Sequence, residues 1–360
     1  MSKPQEPQRH HHLFQFGNPF KMMLPKGSNM SPKLLTMTNN FGITLADRLK
    51  NLKPKDMDDL LSLPWMRLAV NSLCETHTDI KTFINKLELP VCDWDEKWIN
   101  IYFNSTVKIL DICIAFSSEL SHLTQGHLLL QFLLHKLETE TKPTIQSSKV
   151  QESLDYFRQH MSSKNQKLAD CFNILDTLTQ DMILPKSKLK NSSKEKALMH
   201  ALYGVQVHTL FVCNILAAGF AGSSEKIIDL HVPETFLWAD AFVDVQNCIN
   251  GEIRRMLKTN MRSGLVKEVE AIDNCLKKLE PLLQDGDDLS EIDLEKSSID
   301  LGQKREKLSQ GLDLMIKGVD GFFRIILTGR DALLSNLRAD FVSESYKIDR
   351  YSVVKFQVVR

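Results

Sequence analysis

Histidine, cysteine and carboxylate side chains are the groups from which a catalytic or metal site would be built, and their spacing here works against one. His122, His127 and His135 share one predicted helix at separations of five and eight residues. At roughly 100° per residue those steps set them about 140° and about 80° apart around the axis. Two metal ligands on one helix need spacings of three or four. His127 falls on the apolar seam of that helix, where a buried imidazole with one hydrogen bond to a neighbouring helix is expected and a pH-sensing role is the alternative. His200 and His208 are eight apart and fail the same test. The run Cys74-Glu75-Thr76-His77 puts a thiol and an imidazole one turn apart. A nucleophilic cysteine also needs an oxyanion site and an orienting third group, and the sequence offers neither.

Carboxylates and glycines give no stronger signal. Asp240 and Asp244 lie one turn apart, a spacing that di-metal bundles use only when Glu-x-x-His pairs on other helices complete the set, so a solvated face is expected. Asp285 and Asp287 match the first and third ligands of a calcium loop. Leu289 then occupies position five and Ser290 stands where the loop requires glycine, which leaves Asp285 to Glu295 as a solvated acidic linker. Gly311, Gly318 and Gly321 have no Gly-Lys-Ser/Thr and no preceding strand to make a phosphate loop, and read as points of close helix approach. Seven cysteines, at 74, 92, 113, 171, 213, 248 and 275, form no Cys-x-x-Cys and read as reduced, mostly buried thiols. No catalytic residue, cofactor-binding residue or metal ligand is assigned.

The elements that would position such groups are helices. Apolar residues recur at alternating steps of four and three through Val150, Leu154, Phe157, Met161, Lys164, Leu168, Cys171, Leu175, Leu178 and Met182, with Lys164 the only charged member. Leu265, Val269, Ile272, Leu276, Leu279 and Leu283 repeat the pattern. So do Ile109 to Leu137 and Leu301 to Ile326. This rhythm keeps one seam of a long helix against a partner. Its implication is an all-α fold, an elongated antiparallel bundle of about six long helices with coiled-coil-like packing.

Six helices are predicted along the chain: from Ser62, with Pro64 in its first turn, to Leu87; from Asp93 or Asp95 to Glu138, with a bend near Gly126; 150–182; 193–221; from Pro233 to about Leu279; and from Leu301 towards Leu337. Residues 1–46 carry five basic residues and three consecutive histidines against the single acid Glu6, and read as a flexible arm or a transit peptide. The bundle spans 47–340, and 341–360 forms a poorly ordered tail whose Tyr351, Val353, Val354 and Phe356 favour a strand. No internal repeat of solenoid length occurs.

Lysine plus arginine and aspartate plus glutamate each number 45, so no global field recruits nucleic acid, and basic patches with interleaved aromatics are absent. One segment stands apart. Residues 197–222 contain no charge, follow Lys186, Lys188, Lys190, Lys194 and Lys196, and hold the small-residue spacing Ala218 to Gly222. Both a central bundle helix and a membrane contact fit that pattern; His200, Gln206, His208 and Asn214 favour the former.

The stretch Leu73-Cys-Glu-Thr-His77, Leu87-Glu-Leu-Pro-Val91, Asp93-Trp94, Lys97-Trp98, Ala115-Phe-Ser-Ser-Glu-Leu120 and Gln125-Gly-His-Leu-Leu-Leu130, with Phe16-Gly-Asn-Pro-Phe20, resembles the plant BYPASS family. The likeness covers roughly 1–338. It implies a regulator of root and shoot development that prevents constitutive production of a root-derived, mobile, carotenoid-derived signal that arrests leaf and shoot growth. It also implies a plastid address or an endoplasmic-reticulum or other membrane association, and it assigns no catalytic residues. The first functional reading is therefore a non-enzymatic regulator that binds an unidentified protein partner through exposed bundle faces. A membrane-attached tether or trafficking adaptor contacting lipid through 197–222 is the second. The third is an enzyme acting on the signal precursor, which requires an apolar cavity lined by His127 or His208.

Overall fold

The computed structural model of the chain describes residues 30–87, 96–139, 143–182, 192–222, 227–259, 266–282 and 288–357. Among these residues there are nine α-helices and no strand. They are α1 (Pro32–Leu52), α2 (Leu63–Leu87), α3 (Glu96–Thr139), α4 (Pro143–Ser162), α5 (Gln166–Gln180), α6 (Ser193–Ala221), α7 (Ala239–Thr259), α8 (Lys267–Leu282) and α9 (Asp288–Gln357). The all-α bundle is as expected, but several rods divide or lengthen.

The largest difference is at the amino end. Ser31 caps α1, its side chain accepting from the Leu34 N–H, and Pro32 takes the first turn. Leu34, Phe41, Leu45, Leu49 and Leu52 are then buried on one face. The helical body thus starts at Pro32, before the boundary at 46/47, because this stripe packs whatever its charge. Residues 1–29, which hold most of the arm or transit-peptide reading and the Phe16–Phe20 match, lie outside the described residues.

The 44 residues of α3 make a rod of about 66 Å at ~1.5 Å per residue. It runs without interruption past Gly126, where a methyl group would meet Met161 Sδ at 2.5 Å, so this glycine admits a neighbour. Two helices share the rod. Lys136 Nζ donates to the Lys149 carbonyl and His160 Nε2 bonds the His122 carbonyl, which lays α4 antiparallel on its carboxyl half. Asn165 with Ser118, and Lys108 with Asp181, lay α5 antiparallel on its amino half. The predicted 150–182 helix is consequently two helices. Its charged seam position, Lys164, falls in the break, and the Asn165 side chain caps α5 by accepting from the Lys167 N–H. The α9 helix packs antiparallel to α3 as well, Arg330 donating to the Phe103 carbonyl at 2.8 Å.

The helix expected from Pro233 to Leu279 is likewise divided into α7 and α8, with 260–265 outside the described residues. Asp288 to Glu295 are helical turns of α9 and not a linker, which sets acids at a helix start where the macrodipole favours them. Asp285 and Asp287 lie outside the described residues. At the carboxyl end the backbone stays helical to Gln357, against the strand tendency read from its β-branched residues.

At the centre lies α6. Twenty-two of its 29 residues are buried, and α1, α2 and α5 pack around it. Ser192 caps its start. Gly222 ends it at φ 63°, its N–H donating to the Ala218 carbonyl, so the small-residue spacing there is a helix stop. Beside α6 the non-helical segment 227–233 is held by side-chain amides. Asn214 accepts from Ile228 N–H, Gln246 both accepts from and donates to the Leu230 backbone, and Asn250 donates to the Ile228 carbonyl. These amides satisfy backbone groups that would otherwise be buried unpaired.

Candidate functional site at the junction of α2, α3 and α6

The Ser62 cap, accepting from the Trp65 N–H, fixes the start of α2 and so the faces of Ser72, Thr76, His77 and Ile80. One face meets α6. There the fully buried His208 pairs through Nε2 with Ser72 Oγ at 2.9 Å, while its Nδ1 has no partner. One turn further along, His77 Nε2 meets Thr209 Oγ1 at 2.9 Å. The Thr209 hydroxyl already donates to the Val205 carbonyl, so His77 is the donor in that pair. Arg48 of α1 closes the cluster, bonding Glu75, Asp79 and the buried Thr76 Oγ1.

Beside this polar seam is an apolar cavity of about 40 Å³. Ile101, Ser105 and Ile109 of α3, Leu202, Val205 and Gln206 of α6, and His77 and Ile80 of α2 line it, with Tyr102, Thr106 and Thr209. The lining explains why His77 keeps some accessible surface although protein surrounds it. Burial pushes the His77 pKa down to about 4 and that of His208 down to about 3, the latter helped by His77 and Arg48 nearby. Both imidazoles are therefore neutral at neutral pH.

The sequence candidates are not brought together. Cys74 does not pair with His77, and burial holds its thiol above the ordinary range, away from the thiolate a nucleophile needs. His127, half-buried on α3, has an Nε2 with no partner where one hydrogen bond to a neighbouring helix was expected. It faces Arg305, Glu306 and Asp313 of α9, and burial lowers its pKa. Neither His127 nor His208 lines the cavity; His77 does. His200 packs on the Phe236 ring at 5.3 Å. Asp244 pairs with Lys53 and Asp240 is exposed, as a solvated face requires. A Glu-x-x-His run does occur, at Glu119-Leu-Ser-His122, but it serves the α3–α4–α5 junction. Glu119 accepts from Asn165, and His122 Nε2 meets the His160 carbonyl. Among the described residues no group of three or more His, Cys, Asp or Glu is placed to hold a metal ion.

As site residues, Gln206, Tyr102 and Ser105 were not singled out by the sequence. The only signal for Gln206 was a polar residue inside a charge-free helix. Among the close-approach glycines, Gly311 and Gly318 do sit against Leu63 and Arg67 of α2, whereas nothing lies within 4 Å of a methyl placed at Gly321. What the junction offers chemically is a small apolar space edged by neutral hydrogen-bonding groups, suited to binding.

Comparison with known proteins fixes the family. A family model described as Protein ROH1-like matches residues 163–337, from the α4–α5 break into α9. Protein BPS1, chloroplastic, of Arabidopsis thaliana is 47% identical over 339 residues, covering 94% of each chain. The chain belongs to the plant BYPASS family, a family of developmental regulators. UPF0496 protein 4 of Oryza sativa, from subspecies japonica and indica alike, is 44% identical over 272 residues, spanning 75% of this chain but 59% of the rice protein. No solved structure matches. The BYPASS resemblance read over roughly 1–338 is thus matched by a likeness that covers 94% of the chain.

Proposed function

We propose that this BYPASS-family chain is a non-enzymatic regulator of root and shoot development that acts in plastids by binding a protein partner through exposed faces of its bundle. Its regulatory output is to prevent constitutive production of a root-derived, mobile, carotenoid-derived signal that arrests leaf and shoot growth. The observation that carries this reading is the 47% identity to BPS1 over 94% of both chains, together with the word chloroplastic in that relative's name. Neutral buried imidazoles and protonated thiols support a role without catalysis. Expression of this chain in an Arabidopsis plant lacking BPS1 tests the reading. Restored leaf growth, with the protein recovered in isolated plastids, is the expected result. Arrested shoots despite plastid accumulation of the folded protein would overturn it.

A further inference from the structure

We propose that the cavity between α2, α3 and α6 is a binding site for a small, neutral, largely apolar molecule bearing one hydroxyl or N–H donor. The inference concerns the cavity alone and does not depend on the regulatory role proposed above. Its walls are mostly the aliphatic side chains Ile80, Ile101, Ile109, Leu202 and Val205, and no lysine, arginine, aspartate or glutamate lines it. A charged ligand would lose its hydration there without compensation. An apolar group would exchange water for carbon contacts.

Gln206 gives the site an unpaired acceptor. It lines the cavity, and its Oε1 is buried with no partner in the protein. Leaving a buried acceptor unpaired is costly, and a ligand donor reached by rotation of the carboxamide removes that cost. Of the other polar groups three are already engaged, while Tyr102 and Ser105 bring further hydroxyls to the lining. His77 is committed to Thr209, Thr209 to Val205, and the Thr106 hydroxyl donates to the Phe103 carbonyl. At about 40 Å³ the cavity has room for a few water-sized groups, so it seats the donor end and a short branched hydrocarbon, with anything longer leaving by the mouth.

Titration of the full-length protein with 2-butanol and 2-butanone, followed by methyl NMR of isoleucine, leucine and valine, tests the site. The two probes share a carbon skeleton and differ in donor capacity. Saturable shifts at Ile80, Ile109 and Leu202 are expected, with 2-butanol binding about fivefold tighter than the ketone. Gln206→Leu should bring the two affinities together while the spectrum stays that of a folded protein. Ile101→Phe, which fills the cavity and spares Gln206, should abolish binding of both, and decides the matter should the first variant fail to fold. Equal affinities in the unaltered protein, shifts confined to other methyls, or binding undiminished by Ile101→Phe would overturn the proposal.

Discussion

At the scale of single residues, two consequences follow from groups whose environment is set by helix contact. A methyl at position 311 would sit 2.7 Å from Leu63 Cδ1 and 2.9 Å from Leu63 Cβ, whereas one at 321 meets nothing within 4 Å. Gly311→Ala is therefore expected to destabilise the protein by about 1–3 kcal/mol through overpacking. Gly321→Ala should stabilise it by up to ~1 kcal/mol through helix propensity, and urea denaturation of both variants checks the contrast. The second consequence is an acid-sensitive fold. His77 and His208 have native pKa values near 4 and near 3, below the ordinary 6.5, so under mild acid the unfolded chain binds protons that the native state does not. Their contribution is fully present above pH 6.5 and falls as pH drops towards 4 and then 3. His208→Gln should flatten the stability profile across that window, whereas an unchanged slope would show that this imidazole is not buried neutral. Position along a seam could not reveal either environment. Spacing placed His127 on an apolar face, but which histidines face α6 and which face α9 depends on how helices rotate against each other.

At the scale of helices, the apolar rhythm showed that α2, α3, α5, α6 and α9 exist but said less about where rods stop. Continuity of the seam through Val150 to Met182 predicted one helix; the chain turns at Ser163 and Lys164 because Asn165 is worth more as a cap and as a donor to Ser118 and Glu119 than as a helical residue. Asn165→Ala should cost about 1–2 kcal/mol and raise amide exchange across the α4–α5 break, as hydrogen exchange with mass spectrometry would show. The non-helical segment 227–233 beside α6 gives a parallel case. Gln246→Leu removes both of its bonds to the Leu230 backbone, so the Leu230 amide should lose protection while the amides of α6 keep theirs. Loss of protection throughout α6 would mean that the Gln246 bonds hold the central helix as well as the segment. Neither α1 nor this segment was legible in the sequence. The basic composition around α1 masked its apolar stripe, and amides that bond distant backbone look like any other polar residue.

At the scale of the whole molecule, two helices among the described residues are long and apolar enough to cross a membrane, Ile99–Glu138 within α3 and Ser193–Ala221, but their settings differ: the apolar stretch of the first is 39% buried and that of the second 94%. With α6 enclosed by α1, α2 and α5, lipid contact through 197–222 would require the bundle to open, and carbonate treatment of membranes is expected to release the full-length protein into the soluble fraction. Retention in the membrane would revive the tether reading. Sequence rhythm set the architecture, but biological role came through family membership, because heptad spacing specifies how helices pack and not what a site does. The regulatory claim is tested most directly by grafting. Shoots of an Arabidopsis plant lacking BPS1 would be joined to roots of the same mutant expressing this chain in the root alone, with empty-vector roots as control. The expected result is resumed leaf growth above the expressing roots and arrest above the control. Arrest above both, with plastid-localised folded protein present in the root, would contradict the claim.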